Sequence, residues 1–81
     1  MENAGLETRL CNIISQAIKE ATSRDTVITI DSRLNEPKEW DSLSFMHVYY
    51  SVLEEFNLDE DDDDILKFRS VAGILEVINE N

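Results

Sequence analysis

Residues 40–56 read WDSLSFMHVYYSVLEEF, and how this stretch folds decides how the rest of the chain is understood. It contains no glycine or proline, and its apolar residues recur at helical spacing, so a helix is predicted over about 42–57. Asp41 suits the N-cap, where a side-chain oxygen accepts from amides that the first turn leaves unpaired. With Phe45 as origin and about 100° per residue, Phe45, Val48, Tyr49, Val52 and Phe56 fall within roughly 50° of one direction. That arc is the expected core face. Leu43, Met46, Tyr50 and Leu53 gather at roughly 80–160°, a second apolar stripe, while Ser44, His47, Ser51, Glu54 and Glu55 fill the polar remainder. The second stripe, rimmed by carboxylates, is the form expected of a docking surface for basic partners.

With capping assigned to Asp41, Ser42 is left at the first helical position without a structural duty. At the positive end of a helix an attached phosphate is favoured by some tenths of a kcal/mol to about one. A hydrolytic role fails on geometry, because His47, the only histidine, lies about 140° around the same helix from a serine five positions earlier. No glycine-flanked nucleophile elbow is present either.

Working outward, Leu6, Leu10, Ile13, Ile14, Ala17, Ile18 and Ala21 define an amphipathic first helix at about 4–21. Cys11 lies at the edge of its stripe as a packing residue. Residues 22–40 collect turn formers, the only proline and the β-branched patch VITI, which lacks a partner strand. They are read as a long loop whose Val27, Ile28, Ile30, Leu34 and Trp40 close over the helices. Downstream, LDEDDDD is an acidic connection. It has neither the glycine nor the glutamate of a calcium-binding EF-hand in frame, since the sixth and twelfth places counted from Asp59 hold Asp64 and Ser70. ILKF then suggests a short third helix at about 62–67. Ser70 is placed as N-cap of a fourth, at about 70–79, with Val71, Ile74, Leu75 and Ile78 on one face. The expected fold is all-α: one domain over residues 1–81, a small four-helix bundle with a long loop between helices I and II.

Eighty-one residues leave no room for a deep active site, which favours a binding or carrier module over an enzyme. Eighteen acidic against seven basic residues give a net charge of −11, which disfavours nucleic acid and anionic membrane surfaces. The imbalance is concentrated after residue 40, with eleven acids and two bases against seven and five before it. The single cysteine admits no internal disulfide, and no charged-then-apolar leader precedes it, so a reducing, cytoplasmic setting is expected.

The stretch WDSLSFMHVYYSVLEEF also resembles the prosthetic-group attachment site of the acyl and peptidyl carrier protein family, in which Asp-Ser-Leu opens helix II and a Leu-Glu-Glu-Phe-like segment closes it. The acidic approach to helix III, the Ser-Val start of helix IV and its closing LEVI are similar too, so the resemblance spans nearly the whole chain. It implies that Ser42 receives 4′-phosphopantetheine from coenzyme A through a separate magnesium-dependent phosphopantetheinyl transferase. The domain itself would catalyse nothing and hold no metal, carrying acyl or aminoacyl groups as thioesters to partner enzymes with basic docking patches. By the same resemblance Asp41 presents the serine, and Leu43 and Met46 contact the transferase and client enzymes; with the stripe and its rim, His47, Tyr50, Leu53 and Glu54 complete the expected partner face of a monomeric carrier. Trp40, where many fatty-acid carriers have glycine, points to a specialised pathway rather than housekeeping fatty acid synthesis. The rival from a different class is a noncovalent acidic adaptor that binds a basic helix through the same stripe.

Overall fold

In the computed structural model the described residues are 2–80, with side chains described from residue 5 onward; residues 1 and 81 of the expected domain lie outside them. Three α-helices form: α1 (Glu2–Thr22), α2 (Ser42–Phe56) and α3 (Val71–Glu80), with a 3-10 helix at Ile65–Arg69 between the last two. Among the described residues there is no strand, and no helix is long and apolar enough to cross a membrane. The Cα radius of gyration is 11.4 Å, against about 11.7 Å for a compact chain of this length, so the helices share one core.

That core is built on α1 packed against α2, with α3 and the 3-10 helix closing it. Leu10, Ile14, Ala17 and Ile18 of α1 meet Val48, Tyr49 and Val52 of α2, and Phe68, Val71, Ile74 and Val77 fill the remaining side. Tyr49 and Phe68 meet edge to face with ring centroids 4.8 Å apart. At the far end of α2, the Arg9 guanidinium pairs with Glu55 at 3.1 Å and lies 4.6 Å over the Phe56 ring. Phe56, expected in the core, is only partly buried. In α3 the buried residue sequence reasoning passed over is Val77, while Leu75 and Ile78 are partly buried.

The helix ends follow from local chemistry. Ser23 adopts φ 64° after α1, and Thr22 Oγ donates to the Ile18 carbonyl at 2.8 Å. Asn57 ends α2 at φ 55°, a conformation asparagine tolerates. Ser70 caps α3 as expected, its Oγ accepting from the Gly73 amide at 3.0 Å.

Two segments differ from expectation. The third helix forms later and tighter, as the 3-10 element rather than a helix at 62–67. Asp61 organises a turn instead, its carboxylate accepting the Asp63 amide at 2.8 Å and its carbonyl the amides of Asp64 and Ile65. Aspartates bond their own backbone in this way in preference to helix. In the loop, Ile28 and Trp40 are buried and Leu34 packs partly against the core, but Val27 and Ile30 face solvent. An extended segment alternates its side chains, so Val27 points away from the helices where Ile28 meets them, and Ile30 lies in the turn that follows, where the alternation ends.

The loop is held by specific bonds rather than by its apolar residues alone. Arg33 and Glu36 exchange backbone hydrogen bonds, the Asn35 amide donates to the Trp40 carbonyl at 2.7 Å, and Leu34 donates to the Arg69 carbonyl at 2.6 Å. The Val71 amide donates to the Ser32 carbonyl at 3.1 Å. These last two bonds tie the loop to the 3-10 helix and the start of α3, and so bring Leu34 beside the N-terminus of α2.

Candidate functional site at the start of α2

Asp41 and Ser44 form a reciprocal cap. Asp41 Oδ1 accepts the amides of Leu43 and Ser44, both at 3.0 Å, while Ser44 Oγ accepts the Asp41 amide at 2.9 Å. The same hydroxyl donates to the Glu39 carbonyl at 2.6 Å. Ser44, assigned above to the polar arc, is fully buried, and capping is not the work of Asp41 alone. The Asp-x-x-Ser spacing carried that signal. Chiefly the Ser44 amide, and also that of Leu43, hold the Asp41 carboxyl below the usual aspartate range.

Ser42 stands between these two caps and shares none of their bonds. It is exposed, and its hydroxyl makes no hydrogen bond to any described residue. The amides expected to remain free at this helix end are largely taken: Leu43 and Ser44 donate to Asp41 Oδ1, and Phe45 donates to the Asp41 carbonyl at 2.8 Å. Ser42 borders a shallow recess of about 260 Å³ with Leu34, Phe45, Ile65, Leu66 and Arg69. None of these partners except Phe45 lies on α2, so no helical wheel could have found them.

Around the helix, Leu43, Met46 and Tyr50 are 84%, 38% and 49% exposed. They share a depression of about 500 Å³ with Glu20, His47 and Glu54. Leu53 does not belong to this surface. It is only 7% exposed and packs in the core, because α2 is flanked on both sides and its buried arc widens past the predicted limit. His47 is exposed, as expected, and also paired: its Nε2 lies 3.1 Å from Glu20 Oε1, linking α2 to the end of α1. That contact, followed by one from Gln16, lowers the Glu20 carboxyl below its ordinary value.

Cys11 is partly buried, and burial raises its thiol pKa, with the Glu7 charge adding to the shift. Both effects disfavour the reactive thiolate. Among the described residues no group of three His, Cys, Asp or Glu side chains is placed to hold a metal ion. The acidic run 59–64 is a partly exposed turn, with the Asp61 amide donating to Tyr49 Oη at 3.3 Å. Comparison with family models, curated proteins and solved structures finds no match to this chain.

Proposed function

We propose that this domain is a carrier of the acyl and peptidyl carrier type, a small four-helix bundle in which the 3-10 helix stands for the short third helix and Ser42 bears 4′-phosphopantetheine. The observation that carries this reading is the division of labour at residues 41–44. Asp41 and Ser44 satisfy each other and the first turn, so the exposed Ser42 hydroxyl can be esterified without breaking any bond the fold uses. The group fits the residues present, since a bulky substituent on Ser42 meets solvent and the open recess rather than the core. When bound, the group supplies a terminal thiol that carries acyl or aminoacyl cargo as a thioester.

In the loading reaction Ser42 Oγ forms a new O–P bond to the pantetheine-bearing phosphorus of coenzyme A. The phosphoanhydride bond breaks, the adenosine bisphosphate leaves, and the serine proton passes to a base on the transferase. This chain presents the nucleophile and a docking face; the transferase brings the metal and the base. Leu43, Met46 and Tyr50 give that face its apolar contact, and the exposed Glu54 gives it charge. Glu20 joins the rim, with its carboxylate hydrogen-bonded to His47. Basic patches on the transferase and on loading and downstream enzymes complement such a surface. The setting proposed is a monomeric, cytoplasmic carrier in a specialised pathway.

Incubation with coenzyme A and a promiscuous phosphopantetheinyl transferase, followed by intact mass measurement, tests this directly. One phosphopantetheinyl mass on the wild type and none on Ser42→Ala is expected. An unmodified wild type under conditions that load a control carrier refutes it and leaves the noncovalent acidic adaptor.

A further inference from the structure

We infer that Arg69 anchors the phosphodiester on Ser42 and thereby lays the root of the prosthetic arm over the recess between α2 and the 3-10 helix. This inference rests on the carrier reading and adds to it a binding residue and a seat for the arm.

The argument starts from a shortage of donors. A phosphodiester on Ser42 adds negative charge beside the Asp41 carboxylate in a chain of net charge −11. The helix terminus has little hydrogen bonding left to offer, because Asp41 already takes the Leu43 and Ser44 amides and the Phe45 amide is used within the helix, which leaves the Ser42 amide alone. A cation must come from elsewhere in the fold. Of the seven basic residues, Arg9, Lys19, Arg33 and Lys67 are held in ion pairs. Arg24, Lys38 and Arg69 have no ion-pair partner among the described residues, and of these three only Arg69 borders the recess that Ser42 borders. Its backbone position is fixed by the bond from the Leu34 amide to its carbonyl.

The chemistry of the recess matches the order of groups along the arm. Its wall is formed by Leu34, Phe45, Ile65 and Leu66, with Arg69 as its one charged residue; Arg69 also borders a neighbouring recess with Arg33 and Glu36. The arm begins with an anion and continues into a branched dimethyl-bearing carbon, so a cation next to an apolar wall receives both in sequence. At about 260 Å³ the recess holds roughly nine groups of water size at about 30 Å³ each. That suffices for the phosphate and the first carbons, not for the whole arm. The phosphorus is the anion to assign here rather than a charged cargo. It is bonded to a residue that borders the recess, whereas a cargo at the far end must fold back to reach it. Guanidinium is also suited to phosphate, since it presents parallel N–H donors at fixed spacing.

The experiment compares amide spectra of the apo and loaded forms of the wild type, Arg69→Gln, Arg69→Lys and Leu66→Ala, with intact mass confirming loading of each. Loading of the wild type is expected to shift the amides of Leu34, Ile65 and Leu66 and the Arg69 Nε–H, in addition to those of residues 41–43. In Arg69→Gln the 41–43 shifts persist and the remote shifts are lost. In Arg69→Lys they are retained at low salt and fade as salt is raised, and in Leu66→Ala they shrink. Remote shifts unchanged in a loaded Arg69→Gln or Leu66→Ala overturn the role of Arg69 and the recess while leaving the carrier reading intact. Absence of any mass gain on the wild type overturns both.

Discussion

The two serines of the Asp-Ser-Leu-Ser stretch should separate cleanly in a stability experiment. Ser44→Ala removes the acceptor of the Asp41 amide and the donor to the Glu39 carbonyl, bonds of 2.9 Å and 2.6 Å around a fully buried side chain. A buried group left unpaired costs about 1–3 kcal/mol, and loss of an N-terminal cap costs about 0.5–2 kcal/mol. Asp41 and Glu39 are themselves half-buried, so water recovers part of both. A net loss of about 2 kcal/mol is expected, which for a domain of this size lowers Tm by roughly 10–15 °C. It is a large share of the ~4–12 kcal/mol that 81 residues typically hold. Ser42→Ala removes no bond and should stay within about 0.5 kcal/mol of wild type. Urea unfolding followed by far-UV circular dichroism measures both, with the midpoint falling for Ser44→Ala at unchanged slope. Equal destabilisation by the two variants, or a neutral Ser44→Ala, refutes the division of labour on which the proposed function stands.

Three further outcomes follow from the same geometry. Leu43→Glu should remain folded within about 0.5 kcal/mol, since the side chain is exposed, yet slow modification of Ser42 by the transferase; Leu53→Ala should instead lose about 2–5 kcal/mol, and thermal melts with loading rates tell the two apart. Gly73→Ala should destabilise despite alanine's better helix propensity, because its Cβ would lie 2.1 Å from the Lys67 carbonyl oxygen; a loss of about 1–3 kcal/mol in urea is expected, and a more stable variant contradicts the close approach. Asp41 has a folded pKa below its unfolded one, so its contribution is complete above the ordinary aspartate value near ~3.9 and is lost as pH falls through the depressed folded value. Asp41→Asn should therefore flatten the acid limb of a stability-against-pH series, and an unchanged limb shows that the cap does not titrate with folding.

The helices were legible because their apolar spacing is a local property. Glu2–Thr22 and Ser42–Phe56 lie close to the ranges read from periodicity, and Ser70 declares its cap in the sequence. What escaped is what depends on neighbours. Leu53 falls on the outer stripe of the helical wheel because a wheel gives directions but not the width of the surface that packs against them. A helical wheel puts Ser44 on the polar surface because its partners, Asp41 and Glu39, reach it only once the chain turns into the helix. Composition alone assigns Val27 and Ile30 to the core, yet Val27 sits on the far side of the extended segment from Ile28 and Ile30 sits in the turn after it. At the candidate site, Ser42, Leu43, Met46 and Tyr50 were found exposed as expected, whereas Glu20, Leu34, Ile65, Leu66 and Arg69 are joined to them by tertiary structure alone.

Residues 42, 43 and 44 show how three adjacent side chains come to do unrelated work. Each step along α2 turns the side chain by about 100°, so the three point in well-separated directions. Ser44 is carried into the interior, where its bonds to Asp41 and Glu39 fix how the loop enters the helix. Leu43 is carried outward to the depression shared with Met46 and Tyr50. Ser42 faces the recess bordered by Leu34 and the 3-10 helix. The loop and the 3-10 helix thus do more than close the core. The bond from the Leu34 amide to the Arg69 carbonyl holds together the loop and the 3-10 helix, the two segments outside α2 that border this recess, so its shape depends on the loop remaining attached. A hydroxyl free to react, a surface to be recognised and a wall to receive what is attached meet at one turn of helix because its cap is complete without the side chains of Ser42 and Leu43.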